Sequence, residues 1–373
     1  MSRALFPEGF EGGRASGDTM TTIDSQAVPR IGHLQAGPRD AITDVAGVSV
    51  GHATRAEGAC QTGVTVLRPH AGDPYLDKVP AAASVINGFG KSVGLVQVQE
   101  LGVLETPIAL TNTFGVGTVA NAQIRQAIAA NPAIGREWAT VNPLVFECND
   151  GYLNDIQALS ITEDDYRRAY DAAAADFAQG SVGAGRGMSS FSLKGGIGSA
   201  SRLAEIQPGL RYTVGALVLS NFGRLPLMTI AGRPFGRRLA RQQEHGPEKG
   251  SIILILATDA PLDARQLGRL SLRAGAGLAR TGSVFGHGSG DISLAFSTAY
   301  TVPHQAERAM PAQPMLHEAR IDRLFEAAAE ACEQAIVSAL WRAQTVQGRD
   351  GHVRRALTEV IPDWRQWLAD RDF

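Results

Sequence analysis

From Ala41 onward the chain is built of short apolar runs separated by polar, glycine-rich turns. Runs rich in β-branched and aliphatic residues predict strands at Gly63–Leu67, Ala83–Ile86, Val93–Val98, Pro107–Thr113, Leu144–Glu147, Tyr212–Ser220, Ser251–Ala257 and Ile292–Ser297. In DISLAFS (Asp291–Ser297), Ile292, Leu294 and Phe296 alternate with small and polar residues, the pattern of a half-buried strand. Other stretches repeat at the helical period. Thr118 is placed to cap Val119–Ala130, and Pro132 closes that helix. Thr162 with Asp165 resembles a capping box, ahead of a stripe of Tyr166, Tyr170, Ala173 and Phe177. Leu262–Arg280 puts Leu267, Leu270, Ala274 and Leu278 on one face. Met315–Arg342 does the same with Ile321, Leu324, Phe325, Ala328, Cys332 and Ile336. Strands and helices alternate loosely, and some strands come in adjacent pairs. That order predicts a layered α/β sandwich with mixed sheets rather than a doubly wound parallel sheet.

Residues 1–36 lack any period and are rich in Gly, Ser, Pro and charge, which predicts a flexible tail; the remainder, 37–373, is expected to be a single domain. Met20 is an equally acceptable start. With 373 residues, 44% of them hydrophobic, the chain can bury a sizeable core. The net charge of -2 supplies no basic field for nucleic acid. No apolar run approaches the roughly 18 residues of a membrane span, and the N-terminus has no apolar core of a signal peptide. Cys60, Cys148 and Cys332 are far apart and fit neither a disulfide framework nor a CxxC metal spacing, so a reduced cytoplasm is expected. The scattered histidines show no metal-ligand spacing, and no metal or organic cofactor is expected.

The sharpest junction is Gly250-Ser251. A charged run, Arg233–Lys249, ends there and the apolar run Ile252–Ala257 begins. A serine at the head of a buried strand becomes a special residue if the bond before it breaks. It then carries a hydroxyl nucleophile and an α-amine, whose ordinary pKa near ~7.7 suits it to take a proton at neutral pH. The plain alternative is a loop Gly-Ser opening an ordinary strand. Two other motifs compete weakly. Gly47-Val-Ser49-Val-Gly51 has the G-x-S-x-G form of a hydrolase elbow, but no helical stripe follows it. Gly90-Lys91-Ser92 lacks the earlier glycine of a phosphate loop.

Six polar clusters sit at strand ends: LTNTFGVGTV (Leu110–Val119), VFECNDGYLND (Val145–Asp155), KGGIGSASR (Lys194–Arg202), LSNFG (Leu219–Gly223), KGSIILILATDAPL (Lys249–Leu262) and GHGSGDISLAFST (Gly286–Thr298). In this order they resemble the DmpA family of L-aminopeptidase/D-esterases and β-peptidyl aminopeptidases, over roughly residues 38 to 360. The resemblance implies a four-layer αββα sandwich like that of the N-terminal-nucleophile hydrolases, with different connectivity. It implies self-cleavage between Gly250 and Ser251 into an α chain (1–250) and a β chain (251–373), with Ser251 as nucleophile. Glycine before the scissile bond admits a strained backbone and close attack.

By the same resemblance, Ser289 and Asp291 orient and activate the nucleophile; as plain sequence, Ser-Gly-Asp is also a common turn. Some β-peptidyl members carry Glu at that acidic position, and Asp shortens the arm by one methylene. Asn221 can donate to the oxyanion of a tetrahedral intermediate, although Asn-x-Gly is also a turn signal. The resemblance makes Tyr152 a second donor and Glu147 the receptor of the substrate's free ammonium; Asn112 and the Thr113–Gly117 loop would shape that pocket. The expected activity is a self-processing serine aminopeptidase acting on short peptides, amides or esters, assembled as a homo-oligomer, a tetramer of αβ units. The alternatives are an acyl transferase of the ornithine acetyltransferase type and an uncleaved, non-catalytic binding relative.

Overall fold

A computed structural model describes residues 28–240, 249–312 and 315–370. Of the predicted tail, 1–27 lie outside the described residues. Residues 28–36 pack: Ile31 is buried, its carbonyl accepts from the buried Arg202, and its N–H donates to Gln334. Of the charged run before Ser251, Phe235–Leu239 is a short helix with Phe235 buried, and 241–248 lie outside the described residues.

Two sheets stack face to face. The first holds four strands: β1 (Ser49–Glu57), β2 (Cys60–Arg68), β4 (Ile108–Asn112) and β5 (Leu144–Cys148), in that order. The second runs through β3 (Asp77–Gly88), β9 (Gly288–Ser297), β8 (Lys249–Thr258), β7 (Leu210–Asn221) and β6 (Gly196–Gln207). Helices α1 (Val116–Ala130) and α2 (Glu163–Asp171) cover the first sheet; α3 (Ala264–Arg280) and α4 (Asp322–Trp341) cover the second. The architecture is a four-layer αββα sandwich.

The side-chain period of a strand builds the three cores between these layers. In β8, Ile252, Leu254 and Leu256 pack on the helical layer with Leu270, Ala331 and Ile336. Ile253, Ile255 and Ala257 point the other way and join Leu110, Phe146 and Phe296 between the sheets. A third core sits under α1 and α2, around Val64, Val119 and Tyr166. Strands β8 and β9 are parallel neighbours, so the chain must cross over between them, and α3 is that crossover. Asp263 caps α3 by accepting from Gln266 N at 2.7 Å, with Gln266 bonding back, and the expected Thr162–Asp165 capping box holds α2.

Three segments depart from the sequence expectation. Val93–Val98 is not a strand: Leu95–Leu101 is a helix of about two turns between two left-handed glycines, Gly94 at φ +94 and Gly102 at φ +70. The helix after Asn112 begins at Val116, not Val119, because the Asn112 side chain caps the preceding 3-10 turn. The last long helix starts at Asp322 rather than Met315.

Candidate active site

The ends of β5, β7, β8 and β9 meet at one cleft of ≈ 540 Å³. Ser251 and Asn221 are directly paired across the antiparallel β7–β8 ladder, and Gly250 lies beside Ser289 in the parallel β8–β9 ladder. Ser251, Asn221 and Glu147 all line the cleft and are all at least nine-tenths buried. Residues 147, 221 and 251, so distant in the chain, therefore converge because the strands that carry them end at one edge of the sandwich.

The junction before Ser251 needs glycine. Gly250 has φ +132, and a Cβ there would come within 2.0 Å of the Asn221 carbonyl oxygen. Ser251 Oγ accepts from Gly290 N, its neighbour across the β8–β9 ladder, at 3.1 Å. One residue either side of Gly290, Ser289 Oγ donates to Asp291 Oδ1 at 2.5 Å; both side chains are fully buried behind the cleft wall. The expected pair is thus formed and stands one strand from Ser251.

The amide of Asn221 is clamped from two sides. Its Oδ1 accepts from Ser189 N at 2.8 Å, and its Nδ2 donates to Asn149 O at 3.0 Å. That clamp also fixes which end is nitrogen. A primary amide has two N–H hydrogens, so Nδ2 keeps one more to offer to an oxyanion. Two buried charges brace the clamping segments. The Lys194 ammonium donates to the carbonyls of Gly185, Met188 and Gly195 at 2.9, 2.8 and 2.8 Å, holding the Ser189 turn; burial depresses its pKa far below the usual lysine value. Asp150, next to Asn149, is lifted by burial to about 6 against the opposing pull of its hydrogen bonds.

Glu147 is held by two donors. Its Oε1 accepts from Lys91 N at 2.8 Å, and its Oε2 accepts from the Thr113 hydroxyl. Two donors orient the carboxylate and leave lone pairs on both oxygens for an incoming ammonium. The next residue, Cys148, is fully buried. Burial first, then the Glu147 and Asp291 carboxylates, push its thiol pKa well up, so it stays protonated and packs as an apolar side chain.

Tyr152 does line the cleft, but as a stacked ring: it lies on His352 with centroids 4.5 Å apart and under the Arg354 guanidinium at 3.5 Å. Asn112 does not line the cleft. Its Nδ2 donates to Thr62 Oγ1 at 2.9 Å and its Oδ1 accepts from Gly115 N, so it holds the turn that presents Thr113. Thr113, from the loop expected to shape the pocket, does line it, and the structure adds Phe89, Lys91, Ser189 and Arg354, residues that sequence reasoning did not select. The G-x-S-x-G segment is ordinary strand: Ser49 opens β1, and His52 bonds Thr65 Oγ1 and Ala178 O. Among the described residues one triad has metal-ligand spacing, His33, Glu326 and Glu330. Glu330 there already accepts from His33 N, Leu34 N and Arg202, and the group clamps residues 31–34 onto α4. No described helix is long and apolar enough to cross a membrane.

Residues 40–354 match the profile of peptidase family S58. The β-peptidyl aminopeptidase BapA of Sphingosinicella microcystinivorans is 37% identical over 346 residues, 86% of each chain. A crystal structure of a protein from Pyrococcus horikoshii OT3 superposes with a TM-score of 0.86 at 48% identity, covering 91% of this chain and 97% of that one. The L-aminopeptidase D-Ala-esterase/amidase of Ochrobactrum anthropi, a prototype for the serine aminopeptidases and a variant among the Ntn hydrolase fold, superposes with a TM-score of 0.83 at 34% identity. It covers 92% of this chain and 98% of its own.

Proposed function

The chain belongs to peptidase family S58 and is a serine-type aminopeptidase; from that premise we propose that it cuts itself at Gly250-Ser251 and works through the N-terminal serine so released. The observation that carries this is the direct pairing of Ser251 with Asn221 in a cleft whose one carboxylate, among the described residues, is Glu147. Self-cleavage starts when Ser251 Oγ adds to the Gly250 carbonyl. The C–N bond then breaks in an N-to-O acyl shift, and water hydrolyses the ester, leaving the Gly250 carboxylate and the Ser251 α-amine.

The same groups then serve turnover. The substrate ammonium binds Glu147. The Ser251 α-amine takes the hydroxyl proton as Oγ attacks the substrate carbonyl, and Asn221 Nδ2 donates to the developing oxyanion. The proton passes to the leaving amine, and water releases the acyl group from Ser251. Ser289 and Asp291 orient the amine–hydroxyl pair from behind, and Tyr152 shapes the oxyanion wall. Thr113 and Lys91 hold Glu147, and Asn112 holds Thr113. Substrates are short peptides and aminoacyl amides or esters with a free amine, β-residues included, in keeping with the β-peptidyl relatives. We further propose a cytoplasmic homo-oligomer of αβ units. Three free thiols fit a reducing compartment. Exposed Val96, Leu101 and Phe114 supply apolar contact surface.

The test is a denaturing gel with N-terminal sequencing. Mature protein should give two bands, about two thirds and one third of the chain, the smaller beginning Ser-Ile-Ile-Leu. Ser251→Ala should stay whole and fail to hydrolyse aminoacyl p-nitroanilides; a Ser251→Ala protein that splits and turns over removes the nucleophile.

A further inference from the structure

The cleft carries an unequal charge. Its described lining holds one carboxylate, Glu147, and two cations, Lys91 and Arg354. Contacts lay these groups out in one order. Glu147 Oε1 lies beside Gly90, whose added Cβ would stand 3.6 Å from it and 3.8 Å from Gly290 Cα. Gly290 N donates to Ser251 Oγ, Ser251 pairs with Asn221, and Asn221 Oδ1 accepts from Ser189 N. Arg354 Nε then donates to Ser189 Oγ at 3.2 Å. Glu147 and Arg354 therefore stand at opposite ends of this chain of contacts, with the nucleophile between them.

An aminoacyl group that puts its ammonium on Glu147 and its carbonyl on Ser251 has used the first half of that path. What remains on the Asn221 side is the leaving group. Its neighbour there is the Arg354 guanidinium, whose Cζ sits over the Tyr152 ring, 3.5 Å from the centroid, a contact that holds the head group at the cleft. We propose that Arg354 recognises the C-terminal carboxylate of the leaving residue, so that free dipeptides, charged at both ends, are the favoured substrates. This rests on the aminopeptidase reading and adds the second half of the substrate to it. A planar guanidinium matches a carboxylate, and a C-terminal amide offers it one neutral acceptor in place of two charged ones.

The experiment compares Ala-Phe with its amide, Ala-Phe-NH2, in wild type, Arg354→Gln and Arg354→Lys. Each ratio of kcat/KM comes from one preparation, so the fraction of active enzyme cancels. Wild type should favour the acid roughly tenfold, the worth of one charge-assisted contact. Arg354→Gln should bring the ratio near one, and Arg354→Lys should keep part of it. A wild-type ratio near one, or a ratio that Arg354→Gln leaves unchanged, overturns the proposal. So does an equal fall on both substrates, which would reduce Arg354 to a support for Ser189 and Asn221. Wild type that turns over neither these nor any aminoacyl p-nitroanilide sinks the aminopeptidase reading itself.

Discussion

Single atoms decide the chemistry at three positions. Gly250→Ala places a Cβ where the Asn221 carbonyl oxygen stands, at a φ that L-residues avoid, so the strand end must move away from the site. This variant should remain one band on a denaturing gel; full processing would show that the junction tolerates the shift. Glu147→Gln keeps the shape and the bonds to Lys91 and Thr113 but removes the charge. Turnover of free-amine substrates should fall roughly ten- to a hundredfold while self-cleavage proceeds, since the precursor presents no ammonium there. Equal loss of both would make Glu147 structural. Asp150 gives a pH signature. Its pKa rises from 3.8 unfolded to about 6 folded, so the fold favours the protonated form. Its contribution is full below pH 4 and is lost as pH climbs through about 6, by roughly 3 kcal/mol at most. Against Asp150→Asn, wild-type unfolding free energy should therefore decline across that window; parallel pH curves would refute the shift. Ser251, Asn221 and Glu147 were legible in the sequence because each ends or begins an apolar run; Ser289, Asp291 and the receptor role of Glu147 were legible only through the family resemblance. Arg354 and Ser189 were not. They reach the cleft only through tertiary contact, Arg354 through a short hairpin, Val346–Gln347 with Val353–Arg354, that packs some 200 residues away in sequence on Tyr152.

At the scale of elements, what the sequence hid follows one rule. Strands with large apolar residues were visible; β1 and β6 were not, because a helix backbone presses on them and their sequences are correspondingly small. A Cβ at Gly51 in β1 would meet the Ala169 carbonyl of α2 at 2.2 Å. One at Gly198 in β6 would meet the Ala335 carbonyl of α4 at 1.9 Å and Ala339 N at 2.6 Å. Glycine there reads as loop although it marks a close strand–helix approach in each layer. The mistaken strand at Val93–Val98 fails for a related reason: seven residues between two glycines in left-handed conformations are too few to show a period. Gly198→Ala tests the rule. Both contacts are with backbone atoms that cannot swing aside, so the substitution must part β6 from α4 at a cost of about 3 kcal/mol. Chemical denaturation should show that loss with little change in slope; a neutral outcome would mean that the two layers slide freely.

The whole molecule sets what self-cleavage can and cannot change. The proposed cleavage at Gly250 would divide the chain, but it would not divide the sandwich. Strands β8 and β9, which would belong to the β chain, lie side by side in the second sheet, with β7 of the α chain on one edge and β3 of the α chain on the other. Helices α3 and α4, also of the β chain, cover that same sheet and pack on β6, β7 and β3. The strands and the buried helix faces of the smaller fragment thus complete the cores of the larger one, and neither fragment could bury its apolar strands alone. The groups proposed for the site would divide in the same way: Glu147 and Asn221 would come from the first chain, Ser251, Ser289, Asp291 and Arg354 from the second. Processed protein should therefore elute as a single particle under native conditions and separate into two bands only after denaturation, and activity should disappear with the loss of either band. Fragments that separate on a native column, with turnover retained by one alone, would contradict both the shared sheet and the shared site.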